Sequence, residues 1–264
     1  MLSLWGNDAD VSYMLHRQGR MHRDIAAFVN REFYGGRLCE VPLPHQVAPL
    51  PQPVAGDNGI ASLLSTRRLA FVNVDAPPQT VSDKTNRSEA QAIAATLLYI
   101  YNKEEAAFSP VDTVGVIVPY RNQIAAIRQQ VQTLGIGPLD QVTIDTVERF
   151  QGSQRKYILY GFTIQKHYQI EFLANNVIEE DGKQIDRKLN VAMTRAREHL
   201  VIFGNAALIS HNAVFRRLVD YARSVSSYFS PPLADYVSGH FSVPPVGPSQ
   251  RNGTVFADQS QKTE

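Results

Sequence analysis

"RKLNVAMTRAREHL", residues 187–200, carries two secondary-structure signals end to end. Leu189, Ala192, Met193 and Ala196 fall at i, i+3, i+4 and i+7, the apolar stripe of a helix that faces a core. Leu200-Val201-Ile202-Phe203 follows, an apolar run short enough for a buried strand. A helix leading into a buried strand is the repeating unit of a sheet covered by helices. Arg195 and Arg197 stand where one signal gives way to the other. Residues two apart on a helix point to different faces, so the two guanidiniums are expected to do different jobs.

The alternation continues outward. Leu69–Val74, Thr113–Val118, Val142–Thr146 and Tyr157–Thr163 read as short strands, and Gly115 alone interrupts the apolar character of the second. Met21–Tyr34 reads as a helix ended by Gly35-Gly36. Asn86-Arg87-Ser88-Glu89 has the spacing of a capping box, with Ile93, Leu97, Ile100 and Tyr101 continuing at helical intervals. Ile124, Ile127, Val131 and Leu134 give another core stripe, and Phe215, Leu218, Val219 and Ala222 a further one. The expected fold is therefore α/β, a mainly parallel sheet with helices on both faces. Residues 41–59, rich in proline, read as a long irregular loop. The domain is expected to span residues 1–228. Residues 229–264 turn to Pro, Ser, Gly and Gln and are expected to form a flexible tail.

Bulk properties bound the function. The chain has 264 residues, 44% hydrophobic and 19% charged, with a net charge of +1. That length buries roughly three quarters of the unfolded surface. A long-range positive field is excluded, so a grip on nucleic acid has to come from a local patch or from backbone amides. A lone cysteine, Cys39, allows no internal disulfide and suits a reducing compartment. The longest apolar stretches, such as Ala94–Ile100, are too short to cross a bilayer. No basic-then-apolar segment opens the sequence. A cytoplasmic location without a membrane partner is expected.

In open α/β sheets ligands sit beyond the carboxyl ends of the strands. Three such places are chemically loaded: Val118-Pro119-Tyr120-Arg121-Asn122-Gln123, Thr143 through Gln154 and, less directly, the helix carrying Arg195, which precedes its strand so that the arginine approaches from the helix side. Gly152 permits a positive φ or a close backbone approach to a ligand. From composition alone simpler readings stand beside these. The 146–154 segment reads equally as a polar turn, Arg195 as a solvated helix flank and Tyr120 as a packed ring.

Four ordered stretches resemble the second RecA-like domain of superfamily 1 helicases of the Upf type. Gln18-Gly19-Arg20-Met21-His22 is close to Q-Y-R-M-H-P, and Phe33-Tyr34-Gly35-Gly36-Arg37-Leu38 to F-Y-x-G-x-L. Asn86-Arg87-Ser88-Glu89-Ala90 is near N-R-T-E-A. Val116-Ile117-Val118-Pro119-Tyr120 with Gln123 is followed by Thr146-Val147-Glu148-Arg149-Phe150-Gln151-Gly152, near S-V-D-x-F-Q-G. Arg187 through Arg197 is almost letter for letter R-R-L-N-V-A-L-T-R-A-R. The resemblance, from about residue 14 to about residue 220, implies a RecA-like fold of P-loop NTPase type and specific roles. Arg20 and Arg195 correspond to arginines that reach an ATP γ-phosphate and act in catalysis. Gln18, Gly152 and Gln154 fall at nucleotide-site positions. Pro119, Tyr120 and Thr146 fall on the face that binds single-stranded DNA or RNA. Three departures affect the nucleotide site: the family's tyrosine is Gly19, its proline is Arg23 and its ribose-binding glutamate is Gln154. Residues 165–186 look longer than the family usually has.

The sequence contains no G-x-x-x-x-G-K-[ST] and no D-E run ending an apolar strand, the elements that cradle phosphates and hold Mg²⁺ in P-loop ATPases. The resemblance places them in a first, N-terminal RecA-like domain, which is the implied partner and would hold the Mg²⁺ of ATP; no metal ligand is expected in this chain. Two readings follow. One is the C-terminal motor domain of an ATP-dependent helicase, inactive alone. The other is a stand-alone, non-enzymatic nucleic-acid-binding or regulatory module that kept the fold.

Overall fold

In the computed structural model, residues 16–51, 59–75, 84–150, 152–174, 177–180 and 183–244 are described. Gln151, residues 52–58 of the proline-rich loop and residues 245–264 of the expected tail lie outside them. The strands are β1 (Arg17–Gln18), β2 (Cys39–Glu40), β3 (Leu69–Asn73), β4 (Val114–Ile117), β5 (Thr143–Asp145), β6 (Arg155–Gly161), β7 (Val177–Glu180), β8 (Lys183–Asp186), β9 (Ala196–Gly204) and β10 (Tyr228–Phe229). The helices are α1 (Arg23–Phe33), α2 (Pro44–Val47), α3 (Gly59–Thr66), α4 (Arg87–Glu104), α5 (Arg121–Gln132), α6 (Gly137–Asp140), α7 (Tyr168–Ala174), α8 (Arg187–Met193), α9 (Ala206–Ile209), α10 (Ala213–Ser224) and α11 (Leu233–Ser238).

Six strands form one sheet in the order β10-β3-β9-β6-β4-β5, and every neighbouring pair is parallel. Side chains alternate between two cores. Leu69, Phe71, Ile158, Tyr160, Leu200 and Ile202 face the layer of α1, α8 and α10. Ala70, Val72, Tyr157, Leu159, Val201 and Phe203 face the layer of α3, α4 and α5. Burial on both faces is why these strands read as unbroken apolar runs. Gly115 interrupts β4 for a steric reason: a Cβ there would stand 2.6 Å from the Phe150 ring. The α/β, mainly parallel architecture is the expected one.

Four local expectations are corrected. The helix of the opening stretch ends at Met193, and the strand begins at Ala196, four residues early. Ala196 is buried, but as the first strand residue, not as the last of a helical stripe. Arg195 therefore occupies a turn and Arg197 a strand. The capping box is half made. The Asn86 side chain accepts from Glu89 N at 3.0 Å, but the Asn86 amide donates to Gln123 Oε1 instead. Glu89 turns inward, and both its carboxylate oxygens accept from Thr163 N, at 3.0 and 2.9 Å.

The third correction concerns the expected tail. β10 pairs with β3, and α11 packs on α4 with Tyr236 buried and its hydroxyl 2.9 Å from Thr96 Oγ1. Tyr236 also stacks on Phe241 and meets the edge of Phe203. A few large rings anchor a segment whose composition is otherwise that of a linker. The loop 41–59 is likewise less irregular than expected, because Pro44–Val47 forms a helical turn with proline at its start.

Two measurements check this packing. Tyr236→Ala should lower unfolding free energy by about 3–5 kcal/mol in urea titration, the scale of emptying a buried aromatic site. Burial raises the Glu89 pKa from its ordinary 4.5 to about 8. The folded state then holds this proton to higher pH than the unfolded chain. The stability it supplies is full below about 4.5 and is lost as pH rises through about 8. Glu89→Gln, which cannot ionise, should therefore gain in melting temperature over the native protein progressively from pH 6 to pH 9. A gap that stays flat with pH would contradict this assignment.

Candidate functional site

The residues singled out by sequence lie at opposite edges of the sheet. Arg195 and Gly152 stand at the amino-terminal edge, where β6 and β9 begin; Arg155 N donates to Arg195 O at 3.0 Å. Pro119 and Thr146 stand at the carboxyl edge, just past β4 and β5. Helix α8 runs between the two edges, from Asp186 to the Thr194-Arg195 turn.

At the amino edge, two segments far apart in sequence converge. The Arg20 guanidinium donates through Nη1 to Thr194 O at 3.1 Å, across 174 positions of chain. His22 N donates to Arg197 O at 2.8 Å and so sews this loop to β9. Gln18 shapes the loop itself. Its Oε1 accepts from Arg20 N and Met21 N at 3.0 and 2.8 Å, and its Nε2 donates to Met21 O at 2.9 Å. The buried Gln46 donates to Gln18 O and Met21 O, and His45 Nε2 donates to Arg20 O at 2.9 Å. Gln18 is thus occupied in holding Arg20, which is a positioning task. The proline-rich loop supplies the second clamp, and sequence reading had given it no part.

His22 caps α1. Its Nδ1 accepts from Asp24 N at 3.1 Å while Nε2 donates to Ala48 O at 3.0 Å. Acceptance at Nδ1 needs the neutral ring with its proton on Nε2, and burial lowers its pKa. Arg23 then takes the first helical position, where the family's proline would be well suited and a replacement costs little.

Arg195 donates through Nε to Val191 O at 3.0 Å, with longer contacts of 3.4 Å to Ser153 O and Thr194 Oγ1. Burial, and then the charge of Arg20, lowers its pKa. Among the described residues neither Arg20 nor Arg195 has a carboxylate within ion-pair distance. Arg197 serves the structure: its carbonyl holds His22, and its Nη2 lies 3.4 Å from Glu198. Gly152 has φ +79, and a Cβ would meet nothing within 4 Å. The backbone conformation, not crowding, calls for glycine. Gln154 is exposed beside it. Gly19 is exposed, and a Cβ there would meet Leu43 Cδ1 at 3.4 Å, so a larger residue would fit.

At the carboxyl edge, Pro119 and Thr146 line a cleft of about 270 Å³ together with Glu148, Tyr160, Phe172 and Asp186. Thr146 N donates to Asp145 Oδ1 at 2.7 Å. Lys188 bridges to Glu148 at 2.9 Å across the mouth. Asp186 caps α8 by accepting from Leu189 N at 2.8 Å. Helix α5 begins here with no side-chain cap, and the first-turn amides of Arg121 and Asn122 belong to exposed residues. Tyr120 is corrected: it is 7% exposed and its ring is stacked on Phe172 at 5.7 Å. That ring is committed to packing. Phe172 is the ring left in water, 59% exposed, and it belongs to the 165–186 segment that sequence left without a role.

Residues 2–207 match the family described as an AAA domain. The chain is 26% identical over 224 residues to the helicase SEN1 of Saccharomyces cerevisiae, covering 81% of this chain and 9% of that protein. It is 26% identical over 216 residues to the DNA-binding protein SMUBP-2 of Rattus norvegicus, covering 81% and 20%. Helicase sen1 of Schizosaccharomyces pombe is 29% identical over 237 residues, covering 83% and 12%. The chain thus spans a fifth or less of these relatives. A solved C-terminal domain of a possible DNA helicase from a Lactobacillus matches at TM-score 0.44 and 12% identity, over 81% of this chain and 98% of that one.

Gln18→Ala should leave the sheet intact and free the loop that carries Arg20. Faster hydrogen exchange at the Arg20 and Met21 amides, with core amides unchanged, is the expected result. Unchanged exchange at those two amides would remove Gln18 as the clamp.

Proposed function

We propose, from the premise that this chain belongs to the AAA domain family and is a motor domain of the Upf helicase type, that it completes an ATP site formed with a P-loop-bearing partner domain and grips a single strand of DNA or RNA. One observation carries the proposal: Arg20 and Arg195 are brought to one edge, clamped by backbone contacts and, among the described residues, given no carboxylate. Holding two like charges together opposes folding unless an anion arrives to separate them. A polyphosphate fits that vacancy of charge, because a guanidinium stays ionised and its fork matches phosphate oxygens.

In this reading Arg195 and Arg20 meet the γ-phosphate when the two domains close, and stabilise the charge that develops in phosphoryl transfer. Such cations contribute about 10³–10⁵ in rate. Mg²⁺, held by the partner domain, supplies neutralisation of the β- and γ-phosphates. Gly152 and Gln154 border the nucleotide, and Gln154 offers an uncharged acceptor to the ribose, a weaker bond than a carboxylate would make. At the other edge, the Thr146 hydroxyl, the Pro119 turn and the first amides of α5 hold strand phosphates without reading sequence.

The 264-residue chain alone should hydrolyse no ATP. In a protein that also carries the P-loop domain, Arg195→Ala should cut strand-stimulated ATP turnover by roughly two or more orders of magnitude and leave strand affinity largely unchanged. Turnover by the chain alone, or full turnover in the variant, would overturn the proposal.

A further inference from the structure

The cleft at the carboxyl edge holds more than a phosphate grip requires. Its volume of about 270 Å³ lies near the low end of small-molecule pockets and suits one planar ring system. Its inner wall is apolar, formed by Ile117, Leu173 and Phe215. Phe172, at its mouth, leans one face on Tyr120 at an interplanar angle of 24° and leaves most of the ring in water. A large ring braced from behind and open in front is a stacking surface, and every base has a π-face to lay on it.

The polar side chains that line it are Thr146, Glu148, Tyr160, Asp186 and Lys188. The 2.9 Å ion pair between Lys188 and Glu148 balances those two charges, and Asp186, 3% exposed, is left as the carboxylate with no cation at ion-pair distance among the described residues. A buried carboxylate repels a phosphate. It complements a donor edge, and among bases the donor edge is the exocyclic amino group of cytosine, adenine or guanine. Uracil and thymine present carbonyl oxygens on either side of one ring N–H. Phosphates are left to the rim, where Thr146 and the α5 amides stand within reach of the next sugar-phosphate unit.

We infer that this cleft receives one unstacked base of the bound strand, laid on Phe172, and favours bases that carry an exocyclic amino group. The inference rests on the strand-binding reading above and gives it a base preference. The 165–186 segment, through Phe172, is then a base-reading addition to an otherwise sequence-blind surface.

The test measures binding of the 264-residue chain, by fluorescence anisotropy at one salt concentration, to single strands of roughly 12 nucleotides, within the usual site size. An all-deoxycytidine strand, an all-deoxyuridine strand and an abasic strand are compared. Deoxycytidine should bind about tenfold more tightly than deoxyuridine, and the abasic strand no better than deoxyuridine. Phe172→Ala should bring deoxycytidine down to that common level, and Phe172→Trp should restore it. Asp186→Asn keeps a good helix cap and should abolish the cytosine preference. Equal affinity for the three strands would overturn this inference and leave the backbone grip standing. Failure to bind any strand would overturn both. The three-strand comparison uses the native chain, so it does not depend on how any variant folds.

Discussion

The α8 helix is the constraint on which both working edges depend. Its seven residues, Arg187–Met193, span only about 10 Å, so its two ends cannot be set independently. Leu189, Ala192 and Met193 bury it against the sheet. Its first amides are held by Asp186, which lines the cleft, and its last turn presents Thr194 O to Arg20. A helix this short is marginal by itself and exists here because packing and both end contacts fix it.

Legibility in the sequence varied with the kind of signal. The parallel sheet was plain because strands buried on both faces leave continuous apolar runs, and Gly115 interrupts one of them where the Phe150 ring lies over the strand. The α8–β9 junction was misread because Ala196 satisfies the helical stripe and the strand equally well. Only the turn at Thr194-Arg195, which carries no glycine or proline, separates the two. Tyr120 was ambiguous in the same way: tyrosine fits a core or a surface, and nothing near it in sequence reveals that Phe172 closes over it.

Other features depend on partners too distant in sequence to be read. Glu89 looked like the second half of a helix cap, yet Gly161 leaves room for its carboxylate, which a Cβ there would meet at 2.8 Å. A motif for local capping was thus turned to a tertiary purpose. Residues 229–244 looked like a tail because their mean character is polar and proline-rich. Phe229, Tyr236 and Phe241 decide their fate, and composition averages such sparse anchors away. The motif arginines were legible as a pair only through resemblance. Gln18, His45 and Gln46, which hold Arg20 in place, became visible only with the fold.

The parallel arrangement also explains why the two edges use different chemistry. In a sheet of this kind the covering helices run opposite to the strands, so their amino ends gather at the carboxyl edge. There α4 and α5 begin, and helix amino ends offer free amides and a favourable dipole to phosphates. An anion on that side needs no arginine. The amino edge receives helix carboxyl ends, and α8 ends there with its carbonyls facing outward. Those carbonyls are electronegative and would repel a phosphate. An anion can be received at this edge only if cations are placed over the carbonyls. Arg20 lies on Thr194 O and Arg195 on Val191 O, which converts the repelling end of a helix into an attracting one. The two arginines are thus what an anion site at this edge would demand, and the fold brings them together from distant parts of the chain.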